Sequence, residues 1–177
     1  MTRTAPEPVQ VVKGRRDAAL SALVEMIPYA RFLGIRFDRR GDELTALLPF
    51  SEILIGNPRL PALHGGATAA FLEIAAVIEL AWTVNWEETE NGRTLASALP
   101  AGALPRLPKT IDFTIDYLRS GLPRDAYARA RVNRSGRRYA SVFVEAWQDN
   151  RQKPFAQATG HFLMPEADPA RVPARNG

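Results

Sequence analysis

The chain has 177 residues, with 23 Lys and Arg against 19 Asp and Glu, two His and no Cys. That length argues for one domain with a sizeable core. The absence of Cys excludes disulfides, thiolate nucleophiles and Cys-ligated metal centres, and two His leave little for a His-rich metal site. The excess of four positive charges and a pI near 9.8 suggest an anionic partner, but the charge is uneven. Arg106 to Arg138 holds nine basic and three acidic residues, a net of +6, which leaves 14 basic and 16 acidic residues elsewhere. The start, Met1 to Pro6, lacks the apolar core of a secretory signal, and no run of 18 uncharged apolar residues follows, so a soluble, cytoplasmic protein is expected.

In chain order, the first dozen and last dozen residues read as frayed tails. From Arg15 to Ile27 the apolar positions Ala19, Leu20, Leu23, Val24 and Ile27 predict an amphipathic helix that Pro28 ends. Ile35 to Asp38 alternates, Gly41-Asp42 makes a turn, and Leu44 to Phe50 returns, a hairpin. Residues 51–63 form a loop rich in Pro and Gly. Ala67 to Trp86 is the most apolar stretch, and its Ala, Leu and Glu content argues for a helix. A Pro/Gly-rich connection from Asn91 to Pro108 leads to four segments of period two: Lys109–Arg119, with Ile111, Phe113, Ile115 and Tyr117 on one face, then Asp125–Arg134, Tyr139–Trp147 and Phe155–Leu163. The last three carry faces of small residues (Ala126, Ala128, Ala130; Ala140, Ala146; Ala156, Ala158, Gly160). Such a surface lets a helix approach closely, so the Ala-rich helix is expected to lie on it. The order implies an α+β fold with a mostly antiparallel sheet.

Two places in this pattern could carry chemistry. Glu73 has Ala69, Ala70, Ala76 and Val77 at the positions one helical turn away, and a carboxylate on an apolar stripe needs a partner, a solvated edge or a task. Glu79 lies about 120° further round the helix, so the two are not a carboxylate pair. His64-Gly65-Gly66 precedes the helix, where glycines allow close backbone approach and first-turn N–H groups point outward unpaired, an arrangement suited to an anion or oxyanion.

The run from His64 to Glu73, an HGG followed by an acid nine positions after the His, resembles the signature of hotdog-fold acyl-CoA thioesterases of the phenylacetate-degradation (PaaI-like) type. Thr110–Arg119, ending in Tyr117-Leu118-Arg119, resembles that family's strand after the central helix. Arg134-Ser135-Gly136-Arg137-Arg138 resembles its next hairpin turn, and Ala158–Leu163 its last strand; the likeness spans Leu33 to Met164. The resemblance implies a hotdog, an antiparallel sheet wrapped around a long helix, to which the amphipathic spacing adds an extra N-terminal helix outside the likeness, and an acyl-CoA thioesterase with no bound cofactor, coenzyme A entering as part of the substrate. It assigns the Gly66 N–H to polarise the thioester carbonyl, with Gly65 beside it, Glu73 to act as general base or nucleophile, and His64 to hold the thioester or the loop. Relatives place an Asn or Gln six residues before the His; that position is Pro58 here, and Asn57, one residue earlier, is the candidate. Arg119, Arg134, Gly136, Arg137 and Arg138 are candidates for the coenzyme A phosphates, since guanidinium groups suit phosphate oxygens. Arg129 and Arg131 are expected on a wet sheet face, pairing with Asp112 and Asp116. Phe71, Trp82, Trp86 and residues 92–108 could shape the acyl pocket.

Seven residues of helix separate Gly66 from Glu73 by about 10 Å, too far for both to reach one thioester carbon. If both act on one substrate they come from two chains, so a homodimer, or a dimer of dimers, is expected. The division expected is 1–30 as an extension with one helix, 31–165 as a single hotdog domain and 166–177 as a tail. The competing reading is a non-catalytic acyl-CoA sensor. The thirty residues ahead of the core are too few for a helix-turn-helix, and Tyr127 beside Arg129 and Arg131 is the only aromatic support for nucleic-acid binding, so neither nucleic acid nor membrane is expected as a partner.

Overall fold

The computed structural model describes residues 7–90 and 107–165, and of 84–90 the backbone alone. The C-terminal tail, the first six residues and most of the connection 91–108 lie outside the described residues. Helix α1, Val9–Glu25, buries Ala19, Leu20, Leu23 and Val24, the face that the apolar spacing marks. It starts six residues before that spacing does, since Val9 and Val11 are exposed and leave no periodic signal; the Pro8 carbonyl receives the N–H groups of Val11 and Val12. The expectation that the first dozen residues are frayed therefore fails for Val9–Val12. Pro28 opens a short helix, α2, Pro28–Phe32, where its missing N–H would have lacked a partner anyway.

The hairpin is β1, Arg36–Arg40, and β2, Glu43–Leu48, in register from Arg36 opposite Leu47 to Arg40 opposite Glu43. Gly41 turns it at φ 63°, a left-handed value at the first central position that suits a two-residue hairpin and favours glycine. A single 3-10 turn, Glu52–Leu54, leads through the loop to helix α3, Gly65–Glu90. Strands β3, Lys109–Tyr117, β4, Ala126–Ser135, β5, Tyr139–Trp147, and β6, Ala156–Leu163, complete one antiparallel sheet in the order β1-β2-β4-β5-β6-β3.

The small-residue faces meet the helix. Ala126, Ala128, Ala140, Ala146 and Ala156 are fully buried, as are Phe71, Leu72, Ile78 and Leu80 of α3, and each of these large side chains contributes about 1.5–3 kcal/mol. Gly160 is required by packing, because a Cβ there would stand 2.6 Å from both the Phe113 and the Phe162 ring, whose centroids lie 6.4 Å apart, edge to face. The sheet wrapped on a central helix is a hotdog, as the resemblance implies, with α1 packed on α3 and β1.

Two surface expectations are corrected by this topology. Strand β4 lies between β2 and β5, far from β3, so Arg129 pairs with Glu43 at 2.7 Å and Thr45 at 2.9 Å, and Arg131 lies over the Phe143 ring. Asp112 and Asp116 instead meet His161 and Gln157 of β6. The face assigned to β3 is also shifted, because the register slips between Thr110 and Asp112. Ile111 is thereby left without an opposite residue and 60% exposed.

Candidate active site

The loop before α3 is tied down on both sides. The His64 N–H donates to the Leu54 carbonyl at 2.7 Å, the Leu63 N–H donates to Gly121 at 2.8 Å, and Ile55 and Leu63 form an isolated bridge. At the helix start the Gly66 N–H donates to His64 Nδ1 at 2.9 Å, and the Thr68 N–H donates to the His64 carbonyl at 3.0 Å. The N–H assigned to a substrate carbonyl by resemblance, that of Gly66, is therefore already engaged. The Gly65 N–H has no protein partner among the described residues. The Gly65 carbonyl accepts from Tyr117 Oη at 2.8 Å, which ties the helix start to the end of β3.

Two turns along α3, Glu73 is half-buried and accepts a hydrogen bond from Thr110 Oγ1 at 2.6 Å on Oε1. The bulge at Ile111 makes this possible. In an unbroken strand Thr110 and Phe113, three residues apart, would face opposite sides; with one extra residue between them both face the helix. Thr110 is the residue that sequence periodicity misses, because a bulge leaves no mark in an alternating pattern.

The other candidates divide between the two ends of β3. Gly65, Tyr117 and Arg119 stand at its C-terminal end; Glu73, Thr110 and the hairpin with Arg134, Gly136, Arg137 and Arg138 stand at the opposite end, where Lys109, Leu163 and Tyr139 line up across three strands. The guanidinium groups of Arg119, Arg134, Arg137 and Arg138 are exposed and unpaired among the described residues. Gly136 closes the hairpin, its N–H donating to the Tyr139 carbonyl at 2.8 Å. Asn57 Oδ1 accepts from the Arg59 N–H at 3.0 Å, so its side chain closes its own turn and keeps its NH2 group and one lone pair of Oδ1 for a ligand. Phe71 and Trp82 are buried, at 0% and 4% exposure, within the core between α3 and the sheet. The Trp86 side chain and residues 92–106 lie outside the described residues.

The arrangement can polarise a carbonyl at the helix start and direct a carboxylate at water or an electrophile near Thr110, but not at the same atom within one chain. Gly65 and Glu73 are eight helical residues apart, about 12 Å. None of the described protomer's main cavities is lined by Gly65 or Glu73.

Residues 60–155 match the thioesterase superfamily. Over 155 residues the chain is 29% identical to the medium/long-chain acyl-CoA thioesterase YigI of Salmonella typhimurium, covering 84% of this chain and 95% of that protein. A crystal structure of a Chromobacterium violaceum protein is 34% identical, with a TM-score of 0.59, covering 90% of this chain and all of that one (100%). The Escherichia coli PaaI protein, from the phenylacetic acid degradation operon, is 18% identical with a TM-score of 0.62, over 87% of this chain and 96% of that one, a likeness of fold.

Proposed function

This chain belongs to the thioesterase superfamily, and we propose that it hydrolyses an acyl-CoA thioester to a carboxylic acid and free coenzyme A. The substrate class follows the name of its YigI relative, and the observation that carries the reading is the Glu73–Thr110 pair set against a helix start with a free N–H. The Gly65 N–H, rather than that of Gly66, donates to the thioester carbonyl oxygen, where negative charge develops. Glu73 uses the carboxylate oxygen not held by Thr110 to take a proton from water as the water oxygen bonds to the carbonyl carbon. The tetrahedral intermediate then collapses, the C–S bond breaks, and the sulfur leaves as thiolate to be protonated to the free thiol.

Both groups reach one carbon only across two chains. The open edge of β3 is where the second chain would join: a copy added antiparallel about Phe113, the middle of β3, sets Tyr117 of one chain opposite Lys109, next to Thr110, of the other. That places the Gly65 end of one subunit beside the Glu73 end of its partner, and Arg119 beside the partner's arginine hairpin, giving a continuous cationic rim for the phosphates of coenzyme A.

The test follows release of free thiol from a panel of short, medium, long and aryl acyl-CoAs by the wild type and by Glu73→Ala. Loss of release in the variant with the dimer intact is the expected result. Equal rates would remove Glu73 from the reaction, and binding without release across the whole panel would convert the protein into an acyl-CoA sensor. Single turnover in ¹⁸O-water gives a one-way test of the two courses open to Glu73: label in its carboxylate shows direct attack followed by opening of the anhydride at the Glu73 carbonyl, an outcome the base course cannot give.

A further inference from the structure

The His64 ring sits in a slot made by two glycines. A Cβ on Gly56 would stand 2.9 Å from His64 Cδ2, and one on Gly66 would stand 3.0 Å from Nδ1 and 3.1 Å from Cε1. The slot is closed behind by the Gly56 N–H donating to the Ala62 carbonyl at 3.2 Å and the His64 N–H donating to Leu54. Within it, Nδ1 accepts the Gly66 N–H at 2.9 Å. A backbone amide only donates, so Nδ1 carries no proton and the neutral ring carries its proton on Nε2. A base at Nε2 would need both nitrogens bare, an imidazolate, and is thereby excluded from this geometry.

The peptide that makes this bond is held from its other side. Its carbonyl is that of Gly65, which accepts Tyr117 Oη at 2.8 Å. A hydrogen-bond chain therefore runs from the Tyr117 hydroxyl through one peptide group to His64, and each bond polarises the next. We propose that Tyr117 is a positioning residue, fixing His64 through the Gly65–Gly66 peptide as the Nε2–H tautomer. His64 is then a neutral donor, not a base, and Nε2 donates to an acceptor oxygen of the bound thioester. This role rests on the reading of the helix start as the carbonyl site.

The test uses ¹⁵N-histidine protein and two-bond ¹H–¹⁵N correlation above neutral pH. With only two histidines in the chain, His161 on the outer sheet face serves as the internal reference. The wild type is expected to show His64 as the Nε2–H form alone. Tyr117→Phe should give a mixture of tautomers and lower kcat about fivefold with KM changed less than about twofold, the size expected for one lost hydrogen bond. His64→Gln keeps a donor near the Nε2 position, whereas His64→Asn keeps only the acceptor near Nδ1, so Gln should retain more kcat than Asn. A proton on Nδ1 in the wild type, a Tyr117→Phe protein with unchanged tautomer and kcat, or an Asn variant as active as the Gln variant would each overturn the proposal. Absence of thiol release from the wild type would defeat the thioesterase reading instead, and the tautomer of the free protein would still decide this one.

Discussion

Glu73 and Glu79 stand six residues apart on one helix, both half-buried, and the structure treats them in opposite ways. Glu73 lies toward the edge strand β3 and is given a hydroxyl donor by Thr110. Glu79 faces a groove where the sheet parts: β2 and β4 pair only from Ala46 to Leu48, and beyond that Leu44, Glu79, Thr83 and Val132 line an opening of about 380 Å³. The Glu79 carboxyl has no hydrogen bond or ion pair among the described residues, although Arg129, Arg131 and Arg151 line the same opening, and burial pushes it from 4.5 up to about 7. Glu73 thus has a hydroxyl donor on its side chain, whereas the Glu79 carboxyl is raised by burial. The neighbouring strand supplies the Glu73 donor through a single bulge.

The largest expected effect separates the two carboxyls by function. Glu73→Gln should lower kcat by about 10²–10⁴, the usual worth of a general base, with little change in melting temperature, whereas Glu79→Gln should leave thiol release within about twofold. A comparable loss at Glu79 would show that the comparison assigns the wrong carboxyl. Stability should separate them in the reverse sense. Because the folded state holds the Glu79 proton up to about pH 7 while the unfolded chain releases it near 4.5, the wild type should lose stability as pH rises between those values. Against Glu79→Gln the loss should reach about 2–3 kcal/mol above pH 7, allowing for partial solvation. Parallel denaturation curves for the two proteins from pH 4.5 to 7.5 would show that Glu79 is solvated after all.

Smaller effects sharpen the reading of the site. Thr110→Val removes the donor from Glu73 and should cost about tenfold in kcat, with Thr110→Ser restoring most of it. Equal rates for Val and Ser would mean that the strand, not the hydroxyl, holds the carboxylate. Arg137→Ala with Arg138→Ala should raise KM about threefold, less so at high salt, and leave kcat alone. A KM indifferent to both residues and to salt would remove the hairpin from phosphate binding.

Much of the fold is legible in single residues. Ala19, Leu20, Leu23 and Val24 mark the buried face of α1, Gly41 marks the hairpin turn, and the alternating alanines of β4, β5 and β6 announce a surface on which a helix can lie. The site is legible in part. Glu73 stands out because a carboxylate on an apolar stripe is costly, and the glycines after His64 stand out because they open a helix. The partners of these groups are not legible. Arg129 pairs with Glu43 and Thr45, not Asp112 and Asp116, because strand order is a long-range property that alternation within one strand does not encode. The engagement of the Gly66 N–H by His64 is a matter of one side-chain rotamer.

The sequence by itself determined the long helices, the hairpin, the four later strands and most of their buried faces, because periodicity and turn chemistry act over a few residues and are written locally. Tertiary structure alone decided which carboxyl receives a hydroxyl, which N–H at the helix start stays free, and at which end of the sheet each arginine stands. The first and last depend on strand order and on one extra residue at Ile111, where a shift of one position exchanges the two faces of a strand, and the free N–H depends on where the His64 ring sits.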